Sequence, residues 1–142
     1  MVEKTKQHTN DFYYTYEQFC KAVKNISQQI KSRNKKYRNI YAIPRGGLVL
    51  GVYLSHELNL PLARDTIMED TLIVDDICDT GETMKLFAYN DKVTLVGKPK
   101  GLNKMSNIIY DVEVDDNTWV HFPWEKQEKE NKERQVKLND YI

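Results

Sequence analysis

The sequence predicts an α/β fold in which a mainly parallel central sheet is flanked by helices. Three observations carry that expectation. Thr71-Leu72-Ile73-Val74 is a continuous apolar and β-branched run, the composition of a strand buried on both faces. Strand-like runs alternate along the chain with stretches whose apolar residues recur at helical spacing. Two of the strands, ending at Ile43 and Val74, pass into glycine turns that open segments able to form helix. Such joints belong to parallel sheets, where ligands lie beyond the carboxyl ends of the strands.

In chain order, residues 1–11 are polar and read as a loose N-terminus, with Phe12-Tyr13-Tyr14 as a short strand behind them. Thr15-Tyr16-Glu17-Gln18 has the form of a capping box. Tyr16, Phe19, Cys20, Val23, Ile26 and Ile30 then mark one face of a helix reaching about Lys31. The basic stretch from Ser32 to Arg38 reads as a solvated connector. Asn39 to Ile43 is a strand, Leu48 to Leu58 a helix, and Asn59 to Ala63 a short second strand. Lys92 to Val96 and Ile108 to Val114 supply further strands, the first ending at Gly97-Lys98-Pro99-Lys100-Gly101. Trp124 reads as core, and His56 as a surface residue. From Glu125 onward acids and bases alternate without an apolar stripe, so residues 125–142 read as a charged tail or solvated helix.

Length and composition bound the function. With 142 residues, 40% of them hydrophobic, the chain fits one domain, 1–142, with a real core. Twenty-one basic residues balance 21 acidic ones, so no long-range field draws it to nucleic acid or to a membrane surface. No apolar stretch has the length of a membrane span or a secretory signal. Cys20 and Cys78 match no metal spacing and read as free thiols in a reducing cytoplasm.

The chemistry concentrates in two turns. Asp75 and Asp76 end the buried strand, and Asp79-Thr80-Gly81-Glu82-Thr83 follows, with Met84 to Ala88 able to start a helix. The N–H groups of such a turn and the helix dipole attract an oxyanion, and Thr80 and Thr83 add hydroxyl donors. The acid pair can accept from ribose hydroxyls or help hold a magnesium ion. Pro44-Arg45-Gly46-Gly47 has the same strand–turn–helix form, and Arg45 can grip two phosphate oxygens at once. Alone that tetrapeptide equally describes a simple turn. Paired with the acidic motif, it suggests one ligand carrying phosphate at both ends.

An apolar strand, two acids and Asp-Thr-Gly-x-Thr resemble the signature that binds 5-phosphoribosyl 1-pyrophosphate (PRPP) in type I phosphoribosyltransferases. Pro44 to Gly51 with Leu54 to Leu58 is similar to the pyrophosphate loop and helix of the bacterial xanthine-guanine members. The resemblance runs from about Phe12 to Glu125 and implies the type I fold. It also implies a Mg2+-dependent transfer of the phosphoribosyl group from PRPP to guanine, xanthine or hypoxanthine. By resemblance Arg45 and Gly46 hold the pyrophosphate through a loop whose Pro44–Arg45 peptide can be cis. Asp75 and Asp76 face the ribose hydroxyls and the metal, Asp79 is the acid/base group near purine N7, and Thr80, Gly81, Glu82 and Thr83 hold the 5′-phosphate. Lys98 meets the 6-oxo group, Trp119 lies against the base, and the Val120 backbone meets its 2-substituent side. Glu82 departs from the small or basic residue usual there, so its side chain must point away from the phosphate.

A second departure is larger. Only Arg64 to Asp70 separate the second strand from the central one, where the family carries a long flexible hairpin that closes over PRPP. The usual lid is therefore expected to be missing or very short. Two functions follow: a cytoplasmic purine-salvage enzyme, expected to be a homo-oligomer (dimer or tetramer), or a non-catalytic PRPP or nucleotide sensor on the same fold.

Overall fold

The structure, a computed structural model, describes residues 10–125. Its elements are β1 (Asn10–Tyr13), α1 (Tyr16–Ser32), β2 (Asn39–Ala42), α2 (Leu48–Leu58), β3 (Thr71–Val74), β4 (Ile77–Cys78), a 3-10 turn (Met84–Phe87), β5 (Lys92–Gly97), α3 (Pro99–Leu102), β6 (Ile108–Glu113) and β7 (Thr118–His121). Every strand pairing among them is parallel. β2, β3, β5 and β6 lie side by side, and β4 continues β3 along the same edge of β5. Ile73↔Lys92 and Ile77↔Val96 keep one offset, so the chain stays in register through Asp75 and Asp76. There the Asp76 carbonyl accepts from both Leu95 and Val96.

α1 starts where the capping box places it. Thr15 Oγ1 accepts from the Gln18 N–H, and Gln18 Oε1 accepts from the Thr15 N–H. Its Phe19, Val23, Ile26 and Ile30 pack with Leu50 and Leu54 of α2 over Leu72, Val74, Val93 and Leu95 of the sheet. Tyr16 and Cys20, on the expected apolar stripe, lie at its margin, Tyr16 exposed and Cys20 partly so. The opposite sheet face carries a smaller apolar cluster among the described residues, Ile73, Cys78 and Met84, with the polar Thr71, Lys92 and Thr94 also buried. β1 and β7 form a separate two-stranded sheet, tied down by a 2.7 Å hydrogen bond from the buried Tyr14 hydroxyl to Asp111. Trp124 packs in the core as expected, stacked on Phe122 and edge-on to Phe19.

Several sequence expectations need correction. The loose N-terminus gives up Asn10 and Asp11, which pair with Thr118 and Trp119. The strand expected over Asn59–Ala63 is a single bridge between Leu62 and Ile40. The helix expected after Thr83 is one 3-10 turn, because Asn90 and Asp91 already bring the chain back to β5. The connector before β2 is not simply solvated: Arg33 and Lys35 pair with buried Asp91, and Arg38 with Asp70. α3 and β4 had no counterpart in the sequence reading. The charged tail lies outside the described residues apart from Glu125.

Candidate active site

The two glycine turns meet at the carboxyl end of β3. A Cβ on Gly46 would collide with the Asp76 carboxylate, and one on Gly47 would lie 2.5 Å from the Val74 carbonyl oxygen and 2.9 Å from Asp75 Cα. Only glycine lets this turn seat itself on the acid pair. The Pro44–Arg45 peptide is cis. Gly47 donates to the Ile43 carbonyl and Leu48 to that of Arg45, while the N–H groups of Arg45 and Gly46 have no acceptor among the described residues. Arg45 is exposed and makes no ion pair among them. The turn thus leaves two backbone donors and a guanidinium without partners among the described residues.

Asp75 and Asp76 are the unusual pair. Asp76 is 7% exposed, and neither has a cation partner among the described residues. Asp75 Oδ1 accepts from the Asp76 N–H at 2.8 Å. Burial raises both carboxyls above the ordinary carboxylate range, and for Asp75 the charge of Asp76 raises it further. The pair is poised to accept donors or a cation. It gathers no third His, Cys, Asp or Glu into a metal-binding group among the described residues.

The loop after β4 is shaped by its neighbour. Gly81 has φ +85°, a left-handed conformation suited to glycine. Its absent Cβ would lie 3.2 Å from Gly101 Cα, and one on Gly101 would lie 2.5 Å from the Asp79 carbonyl oxygen. The loop and the turn from Lys98 to Leu102 are therefore packed backbone to backbone. The N–H groups of Thr80, Gly81 and Thr83 find no acceptor among the described residues. The Glu82 side chain is exposed and pairs with Lys85 at 2.7 Å and Lys104 at 3.1 Å.

Lys98 is not a solvated turn lysine. It is 2% exposed, and its ammonium lies 3.4 Å from Asp79 Oδ1, whose own side chain is half exposed. An ammonium has three donors, so acceptors beyond Asp79 can still be met. Trp119 lies on β7, 51% exposed, in an edge contact with His121, which stacks on Tyr13 and meets Asp11 at 2.9 Å. Val120 turns its side chain into the core, leaving its backbone as its available surface. Sequence reading missed Lys85, Lys104 and the Tyr13–His121 stack. Alternation in β1 and β7 could have revealed the stack, since Asp11, Tyr13, Trp119 and His121 share one face.

The missing lid has a simple geometric cause. Leu62 runs parallel beside Ile40, while Met68 and Asp70 are bonded near the start of β3, through Asn90 and Arg38. The intervening residues are used to return along the sheet edge. None remain for a hairpin.

A parallel sheet flanked by helices, with two glycine turns meeting at the carboxyl end of β3, defines an α/β protein of the doubly wound kind. No family model matches the chain. A xanthine-guanine phosphoribosyltransferase of Idiomarina loihiensis is 30% identical to it, the match covering 83% of this chain and 89% of the relative. The chain belongs to the type I phosphoribosyltransferase family, among its purine phosphoribosyltransferases. Its fold is similar to that of a purine phosphoribosyltransferase from Pyrococcus horikoshii, with a TM-score of 0.64 at 24% identity over 82% of this chain and 95% of that one. It is also similar to a protein from Neisseria gonorrhoeae with bound ppGpp, with a TM-score of 0.66 at 19% identity over 93% and 97% of the two chains. Among the described residues no helix is long and apolar enough to cross a membrane.

Proposed function

We propose that the protein transfers the 5-phosphoribosyl group of PRPP to a 6-oxopurine, giving a nucleoside 5′-monophosphate and pyrophosphate. The observation that carries this reading is the buried Lys98 ammonium beside Asp79. A lysine has only donors, so it matches a 6-oxo group and opposes the 6-amino group of adenine. The name of the 30% identical relative, a xanthine-guanine enzyme, supports the same substrate class.

In this reading Arg45 and the N–H groups of Arg45 and Gly46 hold the pyrophosphate. Thr80, Gly81, Glu82 and Thr83 form the 5′-phosphate loop, with the Glu82 side chain outside it. Asp75 and Asp76 accept from the ribose hydroxyls. Two carboxylates fit a Mg2+ ion that takes most of its oxygens from the substrate, and bound there it would offset charge on the pyrophosphate. The bond from C1′ to the pyrophosphate oxygen breaks with its electron pair leaving on pyrophosphate. A ring nitrogen of the purine takes its place and the purine loses a proton. Asp79 holds the purine N7 as acid/base group, Trp119 lies against the base, and the Val120 backbone meets the 2-substituent side. Positioning and charge stabilisation supply the catalysis.

An oligomer and a cytoplasmic setting belong to the same proposal. Leu48, Val52 and Tyr53 leave an apolar face of α2 about 40% exposed, suited to a second copy. Both cysteines are free, as in a reducing compartment.

Incubation with PRPP, Mg2+ and each of guanine, xanthine, hypoxanthine and adenine tests the proposal. The 6-oxopurines should yield nucleotide and pyrophosphate, and adenine should not. Adenine turnover equal to that of guanine would remove Lys98 from the base site. The short 64–70 connection favours a second reading, a non-catalytic sensor of PRPP or of a guanosine polyphosphate such as the ppGpp bound by the Neisseria protein. Tight ligand binding without turnover of any purine would favour it.

A further inference from the structure

Glu82 brings a negative charge into a loop proposed to hold a phosphate dianion. Its carboxylate lies 2.7 Å from the Lys85 ammonium and 3.1 Å from that of Lys104. Hydrogen bonds from Lys85 and then Lys104 hold it below the ordinary carboxylate range. Lys85 is fixed to the loop from behind, its N–H donating to the Gly81 carbonyl at 3.0 Å. Lys104 arrives from the turn after α3, whose Gly101 is packed against Gly81. Three charges from three places therefore converge on one loop and sum to a single positive charge. A four-residue 3-10 turn has almost no macrodipole of its own to offer an anion at this loop.

We infer that Lys85 and Lys104 form the electrostatic half of the 5′-phosphate site, with Glu82 as an internal counter-anion that holds them in place and lowers phosphate affinity. The inference rests on the proposed reading of the Thr80–Thr83 loop. The N–H groups of Thr80, Gly81 and Thr83, without acceptors among the described residues, set the orientation of the phosphate. The lysines match its charge. Both side chains are substantially exposed, so their ammonium groups can pivot between Glu82 and a phosphate oxygen. Phosphate and Glu82 then compete for the same cations, and the acid tempers binding of the 5′-phosphate end of PRPP and of the nucleotide product.

A purely structural triad would behave differently. If it served only to tie the loop to the α3 turn, removing the Glu82 charge would loosen the loop and weaken binding. Calorimetric titration of the full chain with ribose 5-phosphate, at low and high ionic strength, separates the two roles. Uncharged ribose serves as the control. Glu82→Gln should bind ribose 5-phosphate roughly two- to fivefold tighter at low salt, and with a steeper salt dependence. Lys85→Met and Lys104→Met should each bind it more weakly by a similar factor, and Glu82→Gln with Lys104→Met should return close to wild type. Unchanged or weaker binding by Glu82→Gln, with wild-type binding intact, overturns the inference alone. Failure of the wild-type protein to bind ribose 5-phosphate overturns the phosphate-loop reading and the inference with it.

Discussion

Buried carboxylates stand at both ends of the central sheet, and the chain treats them in opposite ways. Asp91, just before β5, is 4% exposed and surrounded by its own counter-groups. Lys35 lies at 2.8 Å, Arg33 at 3.7 Å, and the Tyr37 hydroxyl donates to the same oxygen. Burial alone would raise its pKa, but the hydrogen bonds from Lys35 and Tyr37 and the nearby cations outweigh it and hold it below the ordinary range. Asp75 and Asp76, after β3, have no cation among the described residues, and burial raises both. One acid is completed by the chain. The other pair has no such partner among the described residues, the difference expected between a binding site and a structural ion cluster.

The largest effect expected is at the completed end. Asp91→Ala leaves Lys35, Arg33 and Tyr37 without their shared acceptor and should cost about 3 kcal/mol or more of stability in urea unfolding. PRPP affinity of the folded protein should stay close to wild type. A change in affinity as large as the change in stability would mean that the two ends are coupled.

Arg45→Ala should do the reverse. Removing a charge-assisted contact worth about 1.5–3 kcal/mol should weaken PRPP binding roughly ten- to a hundredfold. Stability should hardly move, because Arg45 is exposed and unpaired among the described residues. Unchanged PRPP binding by calorimetry would take the pyrophosphate away from this turn.

Gly47→Ala sharpens the contrast at the contact itself. The new methyl would press on the backbone of Val74 and Asp75, so a loss of about 1–3 kcal/mol in stability is expected, together with weaker PRPP binding. A variant as stable as wild type would show that the turn is not seated on the acid pair.

The smallest effect is a pH slope, and its sign differs between the two ends. The Asp91 pKa is depressed on folding, so its contribution is present above the ordinary carboxylate range and fades as pH falls through the folded value. The Asp75 pKa is raised, so its contribution is full below the ordinary range and is lost as pH rises toward the folded value. Asp75→Asn should therefore raise the melting temperature of the ligand-free protein at alkaline pH and change it little in strong acid. A uniform shift at every pH would mean that charge is not the cause.

Much of this contrast was legible in the sequence, but only at one end. The run of Thr71–Val74 into two acids marked a buried strand leading to a site, because β-branched residues and charges separate cleanly along the chain. The Leu48–Leu58 helix and the capping box at Thr15 were fixed by local pattern and appear where the pattern puts them. Asp91 was invisible, since its partners lie 54 to 58 positions earlier in a basic stretch that looks like any solvated turn. The Lys98–Asp79 and Lys104–Glu82 pairs were hidden for the same reason, since their members lie 19 and 22 positions apart. Family resemblance named Lys98 as a base contact, and nothing in the turn from Gly97 to Gly101 showed that it is buried. The shortened segment after Thr83 looked helical because Met84 to Ala88 has helical propensity, and only the short distance to β5 prevents it.

We propose that Asp75 and Asp76, without a cation partner among the described residues, are acids held for a ligand. Titrating PRPP with Mg2+ into the wild type, Asp75→Asn and a double Asp75→Asn, Asp76→Asn variant at alkaline pH tests it most directly, with ligand-free melting temperature measured on the same samples. The variants should melt higher than wild type without ligand and should lose most of their PRPP affinity. Variants that melt no higher, or that bind PRPP as tightly as wild type, would contradict it.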